Sequence, residues 1–468
     1  MEQKITDFLN MINEPMGTVL VIVLALTGLW FTIKTKGMQF RMIGEMTRLL
    51  FQSTPNQKEG KTVSSFQAFT VSLASRVGTG NLAGVATAIV VGGPGAIFWM
   101  WVMALIGSVN TFIECTLAQL FKEKGKDSYI GGPAYYITKG LKKRWYACIF
   151  AVAIIGQFGL ANNMVQVNTI SSAFTEAFGV SPMTMAVVLT VVSMAVIFGG
   201  IQRIAKVCAV IVPFMALGYL LIALWIIVTN LDQIPAVLSI IVKNAFGFEQ
   251  ALGGTVGMAI MMGFKRGIFS NEAGEGSAPN AAATAETSHP VKQGLIQTLG
   301  VFTDTLVVCS CTAFIIMCSG LYDCGENGIE LTQVALSAHI GDIGKTIIAV
   351  AILFFAFSSV LGNYYYGECN VQFLFEKTRL EKHGVLIYRL ILTVVLFLGA
   401  LMTIDIVWAL VDFFMVIMTV CNLIAICLLG HYAIRLLDDY IEQKKAGKDP
   451  VYKSSTCPEI ENETTCWK

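Results

Sequence analysis

Long charge-free runs recur along almost the whole of this 468-residue chain, each long enough to cross about 30 Å of hydrocarbon as roughly 20 helical residues. Eleven such runs, near 17–33, 64–91, 95–120, 146–174, 182–201, 205–229, 252–284, 294–320, 345–366, 387–404 and 407–429, predict eleven transmembrane helices. Lipid offers the backbone no hydrogen-bond partners, so runs of this kind must be helices rather than open strands. The polar stretches between them hold no soluble domain. The longest are the linker 34–62, the loop 121–145 and the tail after Gly430, which is expected to open with a short amphipathic helix and continue disordered.

Composition agrees with this pattern. With 55% hydrophobic residues, 13% charged residues and a mean hydropathy of +0.67, the chain has too little polar surface to cover a soluble globule. The bilayer is its solvent. A net charge of +1 gives no sign of a nucleic-acid surface. The twelve cysteines lie mostly in apolar stretches, and the one close pair, Cys309 and Cys311, has neither metal-site nor redox spacing. The N-terminal segment lacks a basic leader region and a cleavage site, so the first apolar run is expected to remain as an anchor.

The placement of charge is more informative than its sum. Twenty-six of the 32 Lys and Arg fall in loops on one side of the expected membrane, against Lys4, Lys243 and Lys345 on the other. Because cytoplasmic loops retain positive charge, this places the C terminus inside and the N terminus outside a plasma membrane. Arg76, Lys265 and Arg266 lie within spans. The two arginines are expected to face the protein interior or water and to pair with acids such as Glu114, Glu272 or Asp304.

Two interruptions repeat. Arg76-Val77-Gly78-Thr79-Gly80-Asn81-Leu82-Ala83-Gly84 and Arg266-Gly267-Ile268-Phe269-Ser270-Asn271-Glu272-Ala273-Gly274 share Arg, then Asn five positions later, then Ala and Gly. Each breaks a hydrophobic span, the first in a helix running outward and the second, five helices later, in one running inward. That is an inverted repeat, with a first half at 63–230 and a second at 250–430, preceded by an anchor helix and linker at 1–62 and followed by a tail at 431–468.

Mid-span glycines and polar side chains are costly unless the freed backbone groups line an enclosed cavity, so paired breaks predict a binding site at the midplane. The half-helix after a break offers bare amides, which suit a carboxylate, and the half-helix before it offers carbonyls, which suit a cation. An amino acid together with sodium fits both ends. One Gly-Thr-Gly alone is equally explained by close helix packing; two matched breaks favour the site. On helix 146–174, Asn162, Asn163 and Gln166 form a polar set, of which Gln166 lies a turn from the others and would face the site.

The run Val77-Gly78-Thr79-Gly80-Asn81-Leu82-Ala83-Gly84-Val85-Ala86, with Lys265 to Gly274 and Gly362-Asn363-Tyr364-Tyr365-Tyr366-Gly367-Glu368, resembles the alanine or glycine:cation symporter family over essentially the whole chain. The resemblance implies an all-α integral membrane protein with a leucine-transporter-like fold. In it, five plus five inverted helices, the first and sixth of them discontinuous, follow one extra N-terminal helix. It also implies sodium-coupled import of alanine or glycine.

Carried over by position, Gly78, Thr79 and Gly80 take the substrate carboxylate, with the amides of Thr79 and Gly80 as donors. Ala74 and Val77 carbonyls bind sodium with Ser358 and Ser359, and Asn81 contacts either a second ion or the substrate. Phe269, Ser270 and Asn271 shape the pocket, joined by Asn163 and Gln166. Many alanine-selective members carry Trp after the glycine of the eighth core helix motif, where this chain has Asn363. A smaller polar side chain there leaves glutamine open as the substrate.

Rival classes fit less well. A pore needs rings of like residues or a selectivity filter, and an intramembrane enzyme needs a nucleophile and base or metal ligands within reach, whereas all four histidines sit in loops or at span ends. Proton coupling through Glu114, Glu272 or Asp304 remains the alternative to sodium. No obligate protein partner is evident.

Overall fold

The computed structural model describes residues 2–52, 63–125, 128–247, 256–376, 378–380, 383–402 and 404–467. These form an almost wholly helical bundle whose one sheet among the described residues is the short hairpin of Glu123–Lys124 and Tyr129–Ile130. Seven helices are long and apolar enough to cross a membrane: Thr6–Lys34, Gly95–Leu120, Arg144–Phe178, Gly200–Thr229, Pro290–Ser319, Ile343–Phe375 and Ile406–Lys445. The spans expected at 182–201 and 387–404 occur as shorter apolar helices, Pro182–Ile197 and Gly384–Gly399. The two expected at 64–91 and 252–284 are interrupted, and residues 252–255 lie outside the described ones. Among the helices that occupy stretches expected to be loops, the longest described are Ile234–Ala245 and Gly328–Ile340; 12 and 13 residues long, they are too short to register as spans.

The outward faces are apolar, as lipid requires. Along Gly200–Thr229, Val210, Phe214, Leu217 and Leu221 are exposed, while Cys208, Val212, Met215 and Tyr219 are buried against neighbouring helices. Polar residues instead concentrate inside, around the two interruptions, where Asn81, Ser270, Asn271, Asp304 and Ser359 are each fully buried.

The first interruption is encoded locally. Ser64 and Gln67 form a reciprocal capping box that starts helix Ser65–Arg76. The helix ends at Val77, whose φ of −81° and ψ of 88° leave the α region, and the chain resumes in a π-helical turn, Gly80–Gly84, before Val85–Gly92. Gly78 sits where a Cβ would collide with Ser359 Oγ and stand 2.7 Å from Gln166 Oε1, so only glycine allows the approach. The second interruption follows helix Val256–Asn271. Glu272, Gly274 and Gly276 take left-handed φ values of 57°, 87° and 84° before the short helix Ala278–Ala282. Glu272 is the strained member, being the one without glycine's freedom.

Two more π-helical segments, Ile155–Ala161 and Phe302–Cys309, flank the same region. Such segments change which side chains a helix turns inward.

The tail departs from expectation. The last long helix continues to Lys445, and Ser454–Thr456, Pro458–Glu463 and Thr465–Trp467 form 3-10 turns packed onto the bundle, burying Tyr452, Cys457 and Ile460. Trp467 Nε1 donates to the Gln119 carbonyl at 2.9 Å, and Lys122 Nζ lies over the Tyr129 and Trp467 rings. A few apolar anchors spaced along a polar sequence are enough to order it, and they leave no periodic signal.

Candidate functional site

At the first break, three donors that would close the helix are diverted. Gly78 N, which would donate to the Ala74 carbonyl in an uninterrupted helix, donates to Asn81 Oδ1 at 2.9 Å. Asn81 N, the regular partner of the Val77 carbonyl, donates to Gly78 O at 3.2 Å. Thr79 N leaves its helical partner for Gln166. The carbonyls of Ala74 and Val77 are thus released at the negative end of a half-helix.

Ser359 Oγ meets both carbonyls, at 2.8 Å from Ala74 O and 3.4 Å from Val77 O, and lies 3.0 Å from Phe355 O. Ser358 Oγ donates to the same Phe355 carbonyl at 2.9 Å and lies 3.6 Å from Met215 Sδ. Ser359 is therefore brought onto the Ala74 and Val77 carbonyls, whereas Ser358 bonds back to the Phe355 carbonyl of its own helix and lies beside Met215. Neutral oxygens without a carboxylate suit a hard monovalent cation, since a divalent one is usually held by charged ligands.

On the other side of the break, Gln166 Oε1 accepts from both Thr79 N at 3.0 Å and Thr79 Oγ1 at 2.9 Å, and Gln166 Nε2 donates to Asn162 Oδ1 at 2.8 Å. Gln166 faces the break as its turn position predicts. The Thr79 amide, expected to hold a carboxylate, is held here by a side-chain amide oxygen, a neutral equivalent of one carboxylate oxygen. Asn163 does not reach the break; its Nδ2 donates to Phe158 O and Gly159 O of its own π-helical turn.

Asp304 links the two breaks. Its Oδ1 accepts from Asn81 Nδ2 at 2.7 Å, and its Oδ2 accepts from Ser270 Oγ at 2.7 Å and Thr305 Oγ1 at 2.9 Å. Asn271 Nδ2 reaches Thr305 Oγ1 at 2.9 Å, and Cys309 Sγ lies beside Asn81 and Ser270. Among the described residues no Lys or Arg comes within ion-pair distance of Asp304. The sequence names Asp304 only as a partner for arginine or a proton carrier. Its convergence with Asn81 and Ser270 depends on the π-helical segment Phe302–Cys309, which periodicity does not reveal.

The expected arginine pairs do not form. Arg76 Nη1 donates to Gln297 O at 3.0 Å, and the Arg266 guanidinium stacks over Trp408 at 4.2 Å. Glu114 instead accepts from Gly276 N at 3.1 Å and Asn422 Nδ2 at 2.6 Å, and Glu272 from Ser75 Oγ at 2.6 Å and Ser277 Oγ at 2.5 Å. A backbone amide freed by the second break takes Glu114, and serine hydroxyls take Glu272.

Phe269 packs over the first break at Gly80. A Cβ on Gly80 would lie 3.1 Å from the Phe269 ring, and that ring packs edge-on against Trp408 at 4.7 Å. The Asn363 amide lies 2.6 Å from Ser75 Oγ. A hydroxyl carries one proton, and Ser75 can spend it on Glu272, so the Asn363 amide oriented with Nδ2 toward Ser75 satisfies both groups. Asn363 thus joins the second break's carboxylate to the first helix through Ser75.

A model of the sodium:alanine symporter family matches residues 2–454. Over 469 residues the chain is 49% identical to the probable sodium/glutamine symporter GlnT of Bacillus subtilis, covering 100% of this chain and 97% of that protein. It is 49% identical to the amino-acid carrier protein AlsT of Bacillus subtilis, covering 99% and 98%, and 37% identical to the sodium/alanine symporter AgcS of Methanococcus maripaludis, covering 94% and 98%. In three dimensions it is similar to MhsT in complex with L-phenylalanine, with a TM-score of 0.54 at 12% identity over 86% of this chain and 93% of that one. A manganese transporter of Eremococcus coleocola gives a TM-score of 0.52 at 12% identity over 89% and 95%. At that identity the two structures speak for the fold alone.

Proposed function

The chain belongs to the sodium:alanine symporter family, a family of transporters rather than enzymes, and from that premise we propose that it imports a small neutral amino acid, alanine or glycine first, together with sodium. The observation that carries this reading is the convergence of Ser359 Oγ on the Ala74 and Val77 carbonyls. There the sodium ion takes the carbonyls of Ala74, Val77 and Phe355 and the hydroxyls of Ser358 and Ser359. When it arrives, the hydroxyl protons turn away and the lone pairs turn in. Asn81, Ser270 and Asp304 form a second cation site or the receiving end of a proton.

Gln166 keeps the Thr79 amide satisfied until a substrate carboxylate replaces it, so the break never buries a bare donor. Gly78 and Gly80 let the substrate backbone approach, and Phe269 with Trp408 closes over it. Residues 63–230 and 250–430 act as two inverted halves of five helices, joined to one N-terminal helix, that rock about this midplane site. Loop charge supports a C terminus in the cytoplasm and an N terminus outside, in the plasma membrane.

One sodium ion accompanying a zwitterion moves one net charge, worth about 2.3 kcal/mol at 100 mV, and a tenfold sodium gradient adds about 1.4 kcal/mol. Together they sustain roughly 500-fold accumulation.

Glutamine is the second reading. A relative named as a probable sodium/glutamine symporter shares 49% identity with the chain over its whole length, which favours it. Uptake of labelled L-alanine into proteoliposomes, competed by glycine, D-alanine and L-glutamine, decides between them. Competition by glycine or D-alanine supports the first reading, and competition by glutamine alone supports the second.

A further inference from the structure

A cleft of about 420 Å³ lies where the linker meets the end of the last long helix, walled by Arg41, Met42 and Glu45 on the linker side and by Ile441, Lys444 and Lys445 of that helix. Tyr440, next to Ile441, fixes its level. The Tyr440 ring packs edge-on against His289 at 5.3 Å, and His289 caps the spanning helix Pro290–Ser319. The end of a spanning helix marks the depth at which lipid headgroups begin.

The charge of the cleft is unbalanced. Three cations face one acid, and that acid is already answered: Glu45 pairs with Arg48 at 2.7 Å and Lys444 at 3.3 Å and accepts from Tyr440 Oη. Asp438 and Glu442 of the same helix do not line the cleft. Arg41 and Lys445 are both exposed, and among the described residues neither has a carboxylate within ion-pair distance. Arg41 donates only weakly to the Thr35 carbonyl, at 3.4 Å. Two cations on opposite walls, each without an acid of its own, suit a phosphate.

The neighbouring surface is apolar. Helix Ile43–Leu50 buries Met46 and Leu49 against the bundle, yet Ile43 and, eight positions on, Phe51 are exposed, as is Phe40 just before the helix. Eight residues bring a helical chain back to nearly the same face. A linker helix that turns large apolar side chains outward at headgroup depth lies in the membrane interface rather than in water.

We propose that this cleft holds the headgroup of an anionic phospholipid of the adjoining leaflet, its phosphate between Arg41 and Lys445 and its acyl chains alongside Ile43 and Phe51. A zwitterionic lipid brings its own cation to the phosphate and gains less from the pair. The bound lipid joins the linker to the last helix beside the Glu45 contact.

The test is native mass spectrometry of the full-length protein titrated with phosphatidylglycerol or phosphatidylcholine. Each basic residue at an anionic headgroup is worth about fivefold in affinity, so a preference of about 25-fold for phosphatidylglycerol is expected. The double variant Arg41→Gln, Lys445→Gln is expected to bind both lipids alike. The control Lys142→Gln, Lys143→Gln removes the same charge from exposed positions on another loop and is expected to keep the preference. Inorganic phosphate in tenfold excess is expected to leave the lipid in place. Equal binding of the two lipids by the wild type, a preference that survives in the first variant or falls equally in the control, or displacement of the lipid by phosphate overturns the site.

Discussion

Gln166 Oε1 holds both the backbone amide and the hydroxyl of Thr79, at 3.0 and 2.9 Å, so one side chain of the Arg144–Phe178 helix secures the broken end of another. Replacing it separates two roles. Gln166→Ala leaves a buried amide unsatisfied, at a cost of about 1–3 kcal/mol, and is expected to lower thermal stability as well as uptake. Gln166→Glu keeps the shape but places a negative charge where the substrate carboxylate belongs, so the KM for uptake is expected to rise at least about tenfold. Unchanged KM in both variants would remove Gln166 from the substrate site.

Ser359 touches three carbonyls and Ser358 one. Losing one oxygen ligand to a charged group costs about 1.5–3 kcal/mol, a factor of about 10 to 100 in affinity. Ser359→Ala is therefore expected to raise the sodium concentration for half-maximal uptake by that factor, with Ser358→Ala having the smaller effect. Sodium titrations of uptake in proteoliposomes measure both. Equal and unaltered sodium dependence would place the cation elsewhere.

Gly78 and Gly84 make a paired test of the break. An alanine methyl at 78 collides with Ser359 Oγ and approaches Gln166 Oε1, whereas at 84 its nearest neighbour is the Thr79 carbonyl at 3.8 Å. Overpacking of this kind costs about 1–3 kcal/mol. Gly78→Ala is expected to abolish uptake, and Gly84→Ala to retain it. Inactivation by both alike would point to glycine's backbone freedom rather than to space at the site.

The linker and the end of the last helix meet at Glu45, which accepts from Tyr440 Oη at 2.5 Å and pairs with Arg48 at 2.7 Å and Lys444 at 3.3 Å. Burial works against the charged form, but Arg48, Tyr440 and Lys444 outweigh it and hold the carboxyl at about 2. Because the folded value lies below the unfolded one, the contact contributes stability that is fully present above the usual carboxylate range and is lost as pH falls toward 2. The difference in Tm between the wild type and Glu45→Gln is expected to be constant from neutral pH to about 4.5 and to shrink below it. A constant difference down to the lowest pH would mean that the packing of Glu45, not its charge, carries the contact.

What the sequence disclosed follows from what leaves a residue-type signal. Glycine and asparagine in the middle of an apolar run mark the two breaks, Gln166 stands one helical turn from Asn162 and Asn163, and Ser359 enters only through the family resemblance. The Phe355 carbonyl carries no such mark. Asn163 looks equivalent to Gln166 in sequence, but the π-helical turn Ile155–Ala161 gives it backbone acceptors of its own. Charge alone pairs Arg76 and Arg266 with acids, whereas a freed backbone amide and serine hydroxyls reach Glu114 and Glu272 first. Asp304 required knowledge of which face a π-helical segment turns inward. The ordered tail depended on isolated contacts such as Trp467 with Gln119, distant in sequence and without periodicity.

The central claim is that an amino acid and sodium cross together through the site between the two breaks. Simultaneous uptake of radioactive sodium and labelled L-alanine or L-glutamine by proteoliposomes tests it most directly. Amino-acid uptake that falls to background without sodium, accompanied by sodium entry that itself requires the amino acid and that needs about 10- to 100-fold more sodium in Ser359→Ala, is the result predicted. Amino-acid uptake that proceeds undiminished without sodium would contradict it.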